Sequence, residues 1–260
     1  MPIFQTINLN RYALPRRQVT GALAMTSHTP RCLGVLHLER GLSPVATPPT
    51  PVPGSMLSPT TFDFPTISET VPGAWVENVV RGDPKLEPAF IAAARRLVAR
   101  GAVAISSTCG FSIRHQPAVA TSVNVPVVLS SLLLLPALLR QTPPWGKIAV
   151  LTYDSTCWED TLLGVDDRAE RARIVLGGLE GSKFWHDELK RPTPPIDVIA
   201  IEKDLTGCIA RLRADHPAIA TILFECAAFP IVSAVIRRVT KLPVYDITDL
   251  CRLTMASLPS

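Results

Sequence analysis

Residues 102–111 read AVAISSTCGF, and residues 220–230 read ATILFECAAFP. Each opens as a short apolar run of the length and composition of a buried strand, and each closes on a cysteine where a helical pattern begins. The surroundings match too. Val35-Leu36 lies 74 residues before Cys109, and Val150-Leu151 lies 76 before Cys226. Pro126 and Pro243 each follow their cysteine by 17 residues and open similar strands, VPVV and LPVY. Two halves of about 115–117 residues therefore share the order strand, helix, strand-Cys, helix, Pro-strand. Alternating helices and buried strands call for parallel sheets covered on both faces. The predicted fold is α/β: two pseudo-symmetric lobes with parallel sheets and a cleft between them.

Working outward, CLGVLHL (32–38) reads as the first buried strand. Residues 43–72 carry eight prolines, which neither donate to a ladder nor continue a helix, so a long loop with extended pieces is expected. Phe90, Ile91, Ala94, Leu97 and Val98 recur at helical spacing, and Gly101 stops that helix. In the second half, KIAVLTY (147–153) is a strand, followed by a loop and a helix punctuated by Gly177, Gly178 and Gly181. DVIAIEK (197–203) reads as a strand and CIARLRAD (208–215) as a helix. The expected organisation is an extension over 1–31, a first lobe over 32–140 with 246–260 returning to it, and a second lobe over 141–245.

Composition excludes several classes. The 260 residues are 47% hydrophobic and 18% charged, with a mean hydropathy of +0.25, which suits a sizeable core rather than a disordered tail. A net charge of +4, with no Lys/Arg run longer than two, lacks the basic stripe of a nucleic-acid binder. The longest apolar run, residues 125–139, is broken by Pro126, Ser130, Ser131 and Pro136, so it reads as a strand and a helix, not a membrane span. The six cysteines form no CxxC pair and follow no signal-peptide core, so reduced thiols and a cytoplasmic location are expected. The first 38 residues hold no Asp or Glu but do hold Arg11, Arg16, Arg17 and Arg31. That pattern suits a mitochondrial transit peptide over residues 1–31, or a disordered extension that adds little to core or cleft.

Ligands of open α/β sheets bind beyond the carboxyl ends of the strands. Cys109 and Cys226 occupy such ends, where unpaired N–H groups and the helix dipole favour thiolate. Two thiols flanking one cleft suit a 1,1-proton shift: one removes a proton beside a carboxylate and the other returns a proton on the far face. Backbone N–H groups after each cysteine would hold the substrate carboxylate.

With SSTCGF (106–111), FECAAFP (224–230), LGVLHL (33–38), LTYD (151–154) and LPVYDI (242–247), the chain resembles the aspartate/glutamate racemase superfamily over roughly residues 32–257. That superfamily includes hydantoin racemases, maleate isomerases and arylmalonate decarboxylases. The resemblance implies two flavodoxin-like lobes, an active site between them and catalysis without a cofactor. It gives Cys109 and Cys226 the places of the acid/base pair. Where the amino-acid racemases follow their first cysteine with Asn-Thr, this chain has Gly110-Phe111. Where a Thr follows the second, it has Ala227-Ala228. The site thus loses polar side chains and gains a Phe, which favours a bulkier or less polar acid.

Substrate contacts are expected from Ser107, Thr108, Gly110, Phe111, Thr152, Tyr153, Ala227 and Ala228. Cys32, Cys157, Cys208 and Cys251 read as packing, with Cys157 the one near the cleft. His115 reads as a surface histidine, and Glu39-Arg40 as either a solvated pair or a substrate clamp. Asp166-Asp167 and Glu202 lack neighbouring His or Cys at ligand spacing, so no metal is expected. GGLEG (177–181) has no nucleotide-loop spacing, and no lysine stands in a motif for pyridoxal chemistry. The resulting expectation is a cofactor-independent racemase or epimerase acting at the α-carbon of an amino acid or related carboxylate. The alternatives are a decarboxylase or lyase, or a non-catalytic small-acid binder. A small carboxylate is the expected partner, without nucleic acid or membrane, and a homodimer is compatible with this reading.

Overall fold

The computed structural model describes residues 31–43, 45 and 49–259. Two parallel four-stranded sheets repeat one topology. The first contains β1 (Cys32–His37), β2 (Thr66–Thr70), β3 (Ala102–Ser107) and β4 (Val127–Val128) in the order β2-β1-β3-β4. The second contains β5 (Lys147–Thr152), β6 (Ile174–Gly178), β7 (Ile219–Phe224) and β8 (Val244–Tyr245) in the order β6-β5-β7-β8. Central strands pair in equivalent register, Leu36 beside Ser107 and Leu151 beside Phe224.

Helices cover the sheets. Among those between β2 and β5 are α1 (Val76–Val80), α2 (Glu87–Ala99), α3 (Gln116–Ser122) and α4 (Leu135–Gln141). Later come α5 (Arg168–Arg171), α6 (Lys183–Glu188), α7 (Val198–Asp215), α8 (Ser233–Thr240) and α9 (Ile247–Ala256). α2 buries Phe90, Ala93, Ala94 and Leu97, the stripe expected from helical spacing. α9 follows the last strand of the second sheet yet packs on the first, setting Ile247, Leu250 and Cys251 against Leu33, Val35 and Ala104. Its start is fixed by a capping box in which Asp246 accepts from Thr248 N at 2.8 Å and Asp249 accepts from Asp246 N at 3.1 Å.

The lobes are tied across the cleft by polar contacts. Ser131 Oγ donates to the Phe224 carbonyl at 2.6 Å, and the Arg40 guanidinium grips Glu188 with two hydrogen bonds of 2.5 and 2.9 Å.

Three sequence readings need correction. Residues 197–203 are not a strand but the cap and first turns of α7. The β-branched run VIAI imitates a strand, but Asp197 caps the helix by accepting from Ala200 N, and Ile201, Leu205, Cys208 and Ile209 form its buried stripe. The strand of this region is β6, whose closing glycines read as loop punctuation. Gly177 is required there because a Cβ would stand 2.7 Å from Leu212 and 2.8 Å from Cys208, both on α7. His115 is not a surface residue: it is 3% exposed and stacks on Phe90 at 4.4 Å. The Pro-rich segment, read as a loop with extended pieces, contributes the edge strand β2. Apart from Arg31, the expectation for residues 1–31 lies outside the described residues.

Candidate active site

β3 and β7 end side by side on the cleft, and each hands its chain to a tight turn. Backbone N–H groups after each cysteine, those of Phe111 and Ser112 beside Cys109 and that of Ala228 beside Cys226, lower the thiols. Ser112 N and Phe229 N donate to the carbonyls of Cys109 and Cys226, each at 3.1 Å. Both sulfurs border one cavity of about 270 Å³ between the lobes. Its remaining wall is mostly apolar: Leu38 and Val80 from the first lobe, Met56 from the Pro-rich segment, and Phe184 from α6. Two charged groups also reach it, Arg40 and Glu188, already paired to each other.

The residues expected to touch substrate divide into two groups. Thr108, Tyr153, Ala227 and Ala228 line the cavity together with Cys109 and Cys226. Ser107, Gly110, Phe111 and Thr152 do not line it. Ser107 turns back, its hydroxyl accepting from Cys109 N at 3.2 Å and sharing a 2.9 Å bond with Ser112. Phe111 is buried behind its cysteine against Trp158 and Arg114, so the apolar character of the pocket comes from Met56, Leu38 and Phe184 instead. Cys157 lies outside the lining. The Glu39-Arg40 pair separates: Arg40 binds Glu188, while Glu39 accepts from Gly73 N.

Gly110 and Thr152 meet instead at a residue that motif reading passed over. Glu225, directly before Cys226, is fully buried. Its Oε2 accepts from Thr152 Oγ1 at 2.8 Å, and its Oε1 has no partner. A Cβ at position 110 would lie 2.1 Å from the Glu225 carbonyl oxygen and 2.3 Å from Oε1, so only glycine leaves room for this carboxyl. His37, another residue that sequence reading missed, ends β1, lines the cavity and shares a 3.1 Å hydrogen bond with Thr108 Oγ1.

Burial decides the protonation of these groups. It pushes the Glu225 carboxyl up to about 8, against the lowering influence of Thr152 and Arg114. It holds His37 down at about 4, aided by the positive charge of Arg40. Both thiols are raised above the ordinary range, first by burial and next by the Glu225 charge, while the facing N–H groups lower them. Desolvation thus opposes the thiolates expected from the helix-terminal N–H groups. Among the described residues no group of three or more His, Cys, Asp or Glu is arranged to hold a metal ion, and no helix is long and apolar enough to cross a membrane.

Comparison with solved structures places this architecture among the two-lobed aspartate/glutamate racemase folds. An arylmalonate decarboxylase variant superimposes with a TM-score of 0.52 at 18% identity, covering 87% of this chain and 94% of that one. A glutamate racemase from Francisella tularensis does so with a TM-score of 0.50 at 12% identity, covering 87% and 82%. These likenesses establish the fold. No family model matches the sequence. Curated relatives are more specific. A dimethylsulfoniopropionate lyase from Durusdinium sp. clade D is 34% identical over 205 residues, covering 75% of this chain and 67% of the relative. Dimethylsulfoniopropionate lyase 7 from Emiliania huxleyi is 27% identical over 236 residues, covering 87% and 67%. The chain thus spans about two thirds of the length of these two relatives. It is an enzyme of the racemase-fold class, and it belongs to the dimethylsulfoniopropionate lyase family.

Proposed function

We propose that the chain is a lyase that eliminates a neutral sulfide from a short sulfonium carboxylate, with dimethylsulfoniopropionate as the leading substrate. The observation that carries this reading is the pair of buried cysteines facing one mostly apolar cavity that also contains a matched Arg40–Glu188 pair. A zwitterion offers a carboxylate to Arg40 and a sulfonium to Glu188 and the Tyr153 ring. The apolar wall suits the two methyl groups.

In the reaction, a thiolate takes the proton from the carbon next to the carboxylate. The C–H electrons form the new C=C bond, the C–S bond breaks, and its electrons leave on dimethyl sulfide. Acrylate remains, and the cysteine is again a thiol, its earlier proton having passed to water when the thiolate formed. The leaving group is neutral and needs no acid, so one base suffices. We assign that role to Cys109, because Glu225 directly precedes Cys226 in the chain. The raised thiols favour substrate-assisted ionisation. A cation 4 Å away is worth about 4 kcal/mol at an effective dielectric of 20, or about 3 pKa units. The base then forms more readily when the sulfonium is seated.

The racemase reading requires both cysteines equally, one on each face of the substrate. Folded protein incubated with dimethylsulfoniopropionate is expected to release dimethyl sulfide and acrylate in equal amounts, measured by gas chromatography and proton NMR. Deuterium entering unreacted α-amino acids, with no sulfide released, would replace the lyase reading with racemisation.

A further inference from the structure

We propose that Glu225 is a positioning residue that controls the charge of the two-cysteine cleft: as a neutral acid it lets a thiol ionise, and as a carboxylate it prevents this. The inference rests on the reading of a cleft thiol as the group that ionises for the reaction, but not on the identity of its substrate.

The geometry is specific. Glu225 belongs to the Cys226 turn, yet its carboxyl packs on Gly110 of the Cys109 turn, so it touches the backbone of both. One oxygen has a single hydroxyl donor in Thr152, and the other has none. A buried carboxylate with so little hydrogen bonding is poorly stabilised, whereas the neutral acid needs far less. No cation is committed to it. Arg114, whose positive charge lowers the Glu225 carboxyl, bonds the Val80 and Cys157 carbonyls and Glu159 through its terminal nitrogens, while its buried Nε has no partner. The other ionisable groups acting on this site are the two thiols themselves, Tyr153, whose ionisation both thiols oppose, and Glu188, whose charge opposes ionisation of both thiols.

The pseudo-symmetric site supplies the contrast. Thr108 N donates to Leu36 O at 2.9 Å and Glu225 N donates to Leu151 O at 2.8 Å, so Thr108 and Glu225 hold equivalent places before their cysteines. Each side chain then bonds the last residue of the central strand, His37 or Thr152. The first lobe puts a hydroxyl where the second puts an acid. Burial lifting that acid to about 8 makes it neutral near pH 7 and charged in mildly alkaline solution.

Iodoacetamide alkylation of the full chain tests this without any substrate. The rates at Cys109 and Cys226 are read peptide by peptide by mass spectrometry. Glu225→Gln keeps the shape and cannot ionise. At pH 9 it is expected to alkylate the faster cleft cysteine about tenfold faster than the parent, since a neighbouring like charge shifts a pKa by about one unit or more. At pH 6.5 the two proteins should agree within about twofold, because the parent acid is then neutral. Thr152→Val removes the one donor that favours the carboxylate, so its rate at pH 9 should also rise toward that of the Glu225→Gln variant. That change keeps the test intact if Glu225→Gln does not fold. Cys157, outside the cavity, should react equally in all proteins. Identical pH 9 rates in the parent and a folded variant would overturn the proposal, whether or not the protein releases dimethyl sulfide.

Discussion

The ends of the two sheets carry the same backbone and different chemistry. In the first lobe, Thr108 reaches sideways to His37 and glycine follows the cysteine. In the second, Glu225 reaches sideways to Thr152 and alanine follows the cysteine. Topology repeated in this way needs only a few substitutions to make two similar thiols unequal. The comparison teaches that the fold supplies position while the residue before each cysteine supplies charge.

The largest effect should come from the sulfurs. If the lobes are unequal as described, Cys109→Ala loses about 10²–10⁴-fold in dimethyl sulfide release, the usual range for removing a general base. Cys226→Ala should keep a measurable fraction, within about tenfold to thirtyfold of the parent, because it lacks only a neighbour of the base. Equal and complete losses in initial-rate assays would make the turns equivalent and point back to a two-base reaction.

A second effect separates the buried pairs by pH. Glu225 is raised from 4.5 to about 8 on folding, so its contribution to stability is fully present below 4.5 and is lost as pH rises through 8. Between pH 5.5 and 8.5 that amounts to roughly 3 kcal/mol. His37 runs the other way. Lowered from 6.5 to about 4, it contributes fully above 6.5 and loses its contribution as pH falls toward 4. Urea midpoints across pH should therefore fall on both sides of a maximum. Glu225→Gln should flatten the alkaline side, and His37→Gln the acid side. A Glu225→Gln protein that still loses the full amount, roughly 3 kcal/mol by pH 8.5, would assign the slope to another group.

Much of this contrast was legible before any coordinates. The cysteine turns are local, each within a dozen residues, and their repetition at matched offsets pointed to parallel sheets, a cleft and a thiol pair together. The walls were less legible because they are assembled from distant pieces. Arg40 and Glu188 are 148 residues apart, and neither belongs to a periodic pattern. Glu225 carried a usable signal, since aligning the repeats on their cysteines sets it against Thr108. It stayed hidden because the motif positions compared were those after each cysteine. The misread β6 and α7 have another cause: β-branched and glycine residues report local preference, while the packing of α7 on Gly177 decides the outcome.

A third substitution tests whether the small residue after each cysteine is interchangeable. Gly110→Ala drives a methyl into the Glu225 carbonyl and carboxyl, and overpacking of this kind costs about 1–3 kcal/mol. Ala227 is buried at the equivalent place and borders the cavity, so Ala227→Gly meets no such clash. Its cost should stay near 1 kcal/mol, from backbone freedom and a lost methyl. Thermal unfolding of the two proteins should rank them in that order. The reverse order would show that Glu225 yields easily and is not wedged in place.

The smallest effect concerns how the lobes begin their long covering helices. α2 starts without a side-chain cap, its end following a short turn led by Pro84. α7 starts on Asp197, whose carboxylate accepts from Ala200 N at 3.0 Å. That bond selects helix over the extended conformation that Val198, Ile199 and Ile201 would otherwise favour, so its loss weakens the second lobe where local preference already opposes the fold. Asp197→Ala should cost about 1 kcal/mol, and Asp197→Asn less, because Asn caps nearly as well. Lys183 lies 3.6 Å from the same carboxylate, but its ammonium is more than half exposed and already bonds Asp187, so little of the loss comes from that ion pair. Denaturant melts at about 0.1 and 1 M salt separate the contributions: the capping cost persists at high salt, whereas a loss that vanishes there belongs to the ion pair.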